Sequence, residues 1–211
     1  SFQAGASIAK GLFPLIGAPG TTALRLGLSA IIVSVLQRPW RSLPPRSAWP
    51  TLLFYGLSLG TMNFTFYMAI RSVPLGVAVA LEFTGPLAVA CYHSQRKIDY
   101  LWVALAALGV FFLLPIAPHA TAVNPIGVLF ALAAGVCWAL YIVFGQRTGR
   151  AVGTSASTWG LLIAALLVVP IGIAMTGPRL LEPSMLGRGL AVAVLSSAFP
   201  YTLEMIALRE L

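Results

Sequence analysis

Charge is what this sequence has least of. Asp, Glu, Lys and Arg make up 9% of its 211 residues, against about 25% in an ordinary soluble domain. So few charges cannot cover a water-facing surface. With 59% hydrophobic residues and a mean hydropathy of +0.92, the outer surface has to face lipid. Acids are the scarcest group: Asp99 is the one aspartate, and the glutamates are Glu82, Glu182, Glu204 and Glu210. Together with His93 and His119 they are too dispersed to form a metal site, so no metal is expected. Cys91 and Cys137 lie in apolar segments without a CxxC spacing and read as small packing residues. No glycine-rich phosphate loop is present, which excludes ATP-driven chemistry within the chain, and no cofactor is expected.

Two further classes fall away on closer reading. Gly56-Leu57-Ser58-Leu59-Gly60 spells the GxSxG of a hydrolase elbow, but it lies inside an apolar run and both histidines fall in loops. Gly56 and Gly60 instead offer a small-residue face for close helix contact, and the chain does not read as an enzyme. The net charge of +8 comes from basic residues placed singly or in pairs between apolar runs, with no basic helix face. That is a topological signal and not a nucleic-acid surface.

What is there is length of apolar run. Pro, Gly and Arg punctuate the chain at roughly the 20-residue interval that a bilayer core demands, giving spans near 1–16, 20–37, 51–70, 75–92, 100–116, 125–145, 155–175 and 188–208. The expected fold is all-α, a polytopic transmembrane bundle of about eight helices. Short connections such as Gly17–Gly20 and Arg71–Pro74 make neighbours antiparallel. One set of alternate loops holds Arg38, Arg41, Arg46, Arg96, Lys97, Arg147, Arg150 and Arg209; the other holds only Arg71, Arg179 and Arg188. The positive-inside bias puts the first set, and the N-terminus, in the cytoplasm.

A weak internal repeat runs through the chain. Ala69-Ile70-Arg71 recurs as Ala207-Leu208-Arg209 at an offset of 138, and Phe2 to Lys10 aligns with Trp138 to Gln146 at 136. Helices one and three thus return as six and eight, five helices later. An odd number of crossings inverts the second copy, the architecture of many secondary transporters.

Ionisable groups within lipid cost about 3 kcal/mol each on insertion scales and are functional candidates by default. Lys10, Arg25, Glu82 and Glu204 qualify. Glu82 sits mid-helix in Leu81-Glu82-Phe83-Thr84-Gly85-Pro86, where Pro86 clashes with the Glu82 carbonyl and Gly85 loosens the same turn. A carboxyl taken out of water beside such a kink suits a proton or a substrate amine; a structural pair with Lys10 or Arg25 is the other reading. The Arg25 guanidinium can clamp a carboxylate with two parallel hydrogen bonds, or reach the membrane interface, as Lys10 can. Glu204 follows Pro200 and Tyr201 in a kinked, serine-bearing stretch near the cytoplasmic end. Asn63, Thr65 and Tyr67 in helix three, and Trp138 and Tyr141 in helix six, offer polar groups to a small zwitterion or to a neighbouring helix, and Asn63 aligns with Tyr201 under the repeat.

The chain resembles the threonine/homoserine exporters of the EamA branch of the drug/metabolite transporter superfamily. The match is carried by Ala4-Gly5-Ala6-Ser7-Ile8-Ala9-Lys10, Gly17-Ala18-Pro19-Gly20, Ala23-Leu24-Arg25-Leu26, Leu53-Phe54-Tyr55-Gly56 and Cys137-Trp138-Ala139. Its most specific parts are Val73 to Ala90, containing LEFTGPLAVA, and Pro200-Tyr201-Thr202-Leu203-Glu204-Met205-Ile206-Ala207-Leu208. The resemblance implies ten helices in two inverted five-helix repeats, here 1–116 and 117–211, with the last two helices outside this sequence. It implies residence in the bacterial inner membrane and export of threonine, homoserine and related amino acids against entering protons. A carrier of a sugar-type or other small solute, and a membrane subunit that transports nothing, are the competing expectations.

Overall fold

A computed structural model describes residues 7–41, 43–94, 97–113 and 124–194. Every regular element among them is helical: α1 (Phe13–Gln37), α2 (Trp49–Ile70), α3 (Leu75–Glu82), α4 (Thr84–His93), α5 (Lys97–Leu113), α6 (Pro125–Val152), α7 (Ala156–Thr176) and α8 (Pro183–Ala193), with short 3-10 turns between. Proline in the first turn of α1, α2, α6 and α8 presets the helical φ where the missing N–H costs nothing. Asn124 caps α6 by accepting from the Ile126 N–H at 2.9 Å.

Where they are described, the helices follow the expected spans with three differences, and most of the expected eighth span, 188–208, lies outside the described residues. Residues 7–10 are helical, and helix one and helix two run together in α1, interrupted at Gly17 (φ 68°, ψ 173°). Only glycine reaches that conformation without strain. Ala9, Leu12 and Ile16 before the break and Ala23 and Leu24 after it belong to one core cluster. The fourth span is divided into α3 and α4 at Phe83. Helix six also outruns its expected end at 145, continuing to Val152 before Gly153 (φ 70°) stops it. Gln146, Arg147 and Thr148 are polar but are no helix breakers, and Thr148 is fully buried, so packing carries the helix on where apolarity ends.

Four described spans are long and apolar enough to cross a membrane: α1, α3 with α4, α6 and α7. The central helix is α2, which packs chiefly on α6 and α7, while α1 lies along α7 and α8. Gly60 lets α2 approach α7 so closely that a Cβ would sit 3.1 Å from the Ala164 Cα. At Gly85 the approach to α6 is closer still, since a Cβ there would land on the Gly135 carbonyl. Small residues at such crossings give the van der Waals contact that holds helices together where lipid is as apolar as the side chains.

Candidate functional site

The inner faces of α1, α2 and α3 bring Arg25, Asn63, Tyr67 and Glu82 together. Arg25 is 4% exposed, Tyr67 1% and Glu82 8%. Arg25 Nη2 donates to Asn63 Oδ1, and the Asn63 amide is held in register by donating to the Leu59 carbonyl at 2.8 Å. The guanidinium carbon lies 5.0 Å from the Tyr67 ring centroid, a cation–π contact. Such a contact contributes about 2 kcal/mol when desolvated, and a hydrogen bond to a charged group about 1.5–3 kcal/mol. Together they offset the roughly 3 kcal/mol cost of placing an arginine inside lipid. Arg25 also acts electrostatically on Glu82 and on Tyr67.

The arginine is held, but not saturated. Its Nε and the Tyr67 hydroxyl are buried with no hydrogen-bond partner. Glu82 has no ion-pair partner among the described residues. A cation and an acid are therefore buried within electrostatic reach of each other, without an ion pair between them.

Glu82 owes its setting to the break that follows it. Pro86 has no N–H to give the Glu82 carbonyl, and α3 ends there. The released carbonyl faces α6, where a Cβ on Gly135 would approach it to 2.8 Å. The interruption is centred on Phe83, while Gly85 serves the close crossing with α6. Phe83 stacks edge-on against Trp138 with centroids 5.0 Å apart, which places the first of the two α6 candidates next to the acid's turn. The second, Tyr141, lies elsewhere: its ring stacks on Tyr55 at 4.9 Å and the two hydroxyls are 3.3 Å apart. Lys10 is exposed and has no hydrogen-bond partner among the described residues, so the structure does not bring it to Glu82. Pro200, Tyr201 and Glu204 lie outside the described residues.

Sequence reasoning singled out Arg25, Asn63, Tyr67 and Glu82 separately but did not join Asn63 to Arg25, 38 positions away. It also passed over Gly135, whose only signal was a small residue within a long apolar run. Among the described residues no cluster of three potential metal ligands occurs.

Apolar toward lipid, polar and charged within, and broken beside its buried acid, the bundle has the make-up of a small-solute membrane transporter. Threonine/homoserine exporter RhtA of Salmonella typhimurium (strain LT2) and that of Escherichia coli K12 are 55% and 54% identical to this chain over 211 residues, covering all of it and 72% of each relative. The chain belongs to the EamA-like transporter family, whose pattern matches residues 125–211. The uncharacterized inner membrane transporter YedA of E. coli K12 is 28% identical over 131 residues, 60% of this chain and 42% of that one. No solved structure matches. With these relatives and its apolar spans, the protein is a bacterial inner-membrane protein.

Proposed function

We propose that the protein exports threonine, homoserine and related small amino acids from the cytoplasm, in exchange for entering protons. The observation that carries this reading is the enclosed, unpaired set of Arg25 and Glu82, with Asn63 and Tyr67 beside them. An amino-acid zwitterion presents one carboxylate and one ammonium, and the cluster presents the complementary cation and acid. The names of the 54–55% identical relatives point to the same substrates.

The coupling follows from the chemistry of a lone buried carboxyl. Neutral, it can be carried through a conformational change at little cost; charged, it needs a cation, which the substrate ammonium supplies. Glu82 protonated from outside and deprotonated inside would then exchange a proton for each loaded substrate. The same reading puts the N-terminus in the cytoplasm and divides the chain into inverted repeats at 1–116 and 117–211. It is supported by two positive-φ glycines, Gly17 and Gly153, 136 positions apart at corresponding helix junctions.

The test is efflux of labelled threonine from loaded proteoliposomes with a pH gradient imposed or collapsed. Wild type is expected to export faster when the outside is acidic. Glu82→Gln is expected to lose that pH dependence and at least tenfold in rate. Full, still pH-dependent efflux by Glu82→Gln would remove the acid from the mechanism. Absence of threonine and homoserine efflux in wild type would remove the substrate assignment.

A further inference from the structure

Where α2 and α7 finish, the bundle holds a cavity of about 360 Å³, lined by Phe13, Ile16, Gly17, Thr176, Arg71 and Arg179 among others. Arg71 follows the end of α2, and Arg179 lies in the 3-10 turn Pro178–Leu181 after α7. Their positions in the chain are far apart, yet both guanidinium-bearing residues meet the Gly17 break. Neither has an ion-pair partner among the described residues, and Glu182, the acid closest to Arg179 in sequence, is exposed.

The two arginines leave this cavity electropositive. Its carbonyls are already occupied: Thr176 donates to the Ile16 oxygen at 3.1 Å and Thr21 to the Gly17 oxygen at 2.7 Å. What stays open is the pair of arginines, Arg71 and Arg179. The cavity is also next to the Arg25 cluster. Phe13 lines it and packs on Tyr67 with centroids 5.9 Å apart, and Tyr67 carries the Arg25 guanidinium on its ring. Arg25 lies about 12 Å along the helix from Gly17, by its eight-residue separation. One aromatic ring thus stands between two cationic sites.

We propose that this cavity is a release vestibule, a second site for the carboxylate of the exported amino acid, held by Arg71 and Arg179, with Phe13 as the partition between it and the Arg25 cluster. The inference rests on the amino-acid export reading and assigns a separate site to it. A phosphodiester of an anionic lipid headgroup has the same chemistry, so the test separates the two sources.

The experiment uses the purified protein in proteoliposomes of zwitterionic lipid, and again with anionic lipid added, loaded with labelled threonine. Unlabelled threonine or threonine amide, which lacks the carboxylate, is supplied outside. Outside threonine is expected to inhibit efflux in zwitterionic vesicles and the amide to inhibit it far less. Arg71→Gln with Arg179→Gln is expected to raise the outside concentration for half-inhibition about tenfold, the effect of losing a charge-assisted contact. KM for inside threonine should stay unchanged, and Arg71→Lys with Arg179→Lys should restore much of the inhibition. Both arginines are exposed, so the exchanges spare the core. Inhibition that is indifferent to the arginines or to the carboxylate overturns the vestibule while leaving export intact. An arginine effect that emerges only with anionic lipid overturns it in favour of a headgroup site. A wild type that exports no amino acid removes the vestibule together with the reading beneath it.

Discussion

α1 and α6 are both membrane-crossing helices, and they are built in opposite senses. The apolar window of α1 has a mean hydropathy of 1.5 and is 67% buried inside the protein; that of α6 reaches 2.4 and is 22% buried. In a water-soluble protein the more apolar helix would be the more buried one. Between these two helices the more apolar one is turned to lipid, and the interior receives Thr21, Thr22, Arg25, Ser29 and Ser34 from α1. Thr21 and Thr22 return their hydroxyls to carbonyls four residues back, at 2.7 and 2.8 Å, so their burial leaves no donor unmet. Of the two, the less hydrophobic helix is the one that carries the site arginine, Arg25.

The largest expected effect tests the place where α6 does turn inward. Gly85→Val would drive a branched side chain into the Gly135 backbone, which cannot move aside as a side chain could. Overpacking of this kind costs about 3 kcal/mol or more. Loss of the monodisperse peak in detergent and a collapsed thermal transition are the expected outcome. A variant that elutes and melts like wild type would show that α4 and α6 do not cross there.

Next comes a charge added to the outer face and one removed from the inner face. Val136, 61% exposed on α6, meets lipid, and Val136→Arg is expected to cost about 3 kcal/mol of insertion or stability. Arg25→Leu removes a charge from the inner face instead. It leaves Asn63 short of one partner, about 1 kcal/mol, but should fold and insert. Its efflux is expected to drop about a hundredfold, in line with the loss of a charged contact to substrate. If both variants lost the same property, stability or transport, the distinction between an outer apolar face and an inner working face would fail.

The contrast also explains what could be read from the sequence. The all-α membrane class was legible because apolar length is a one-dimensional signal. Arg25 and Glu82 were legible because an ionisable residue inside an apolar run violates the surrounding pattern. Their surroundings were not. Asn63 as the hydrogen-bond partner of Arg25, Gly135 beneath the Glu82 carbonyl and Arg71 beside Arg179 are all products of packing between distant helices, and no local period encodes them. The end of α6 escaped for a related reason, since buried Thr148 extends the helix past the point where hydropathy falls. Lys10 shows the limit from the other side: a charge in an apolar run, yet exposed and apart from the acid.

The smallest effect gives the sharpest form of the comparison, because it lies within a single helix. On α7, Leu166 is 74% exposed and Val168, two residues on, is fully buried among Leu26, Leu59 and Leu161. Truncating Leu166 to Ala removes more atoms, but those atoms leave lipid, which closes over the gap at little cost because its tails are as apolar as leucine. Val168→Ala removes fewer and leaves a void between rigid helices, worth about 1 kcal/mol. Thermal unfolding in bilayer-like nanodiscs should therefore rank Val168→Ala as the more destabilising, with Leu166→Ala shifted by less than about half a kcal/mol. The reverse ranking would mean that the Leu166 face is covered by protein, and that exposure in the isolated chain does not report contact with lipid.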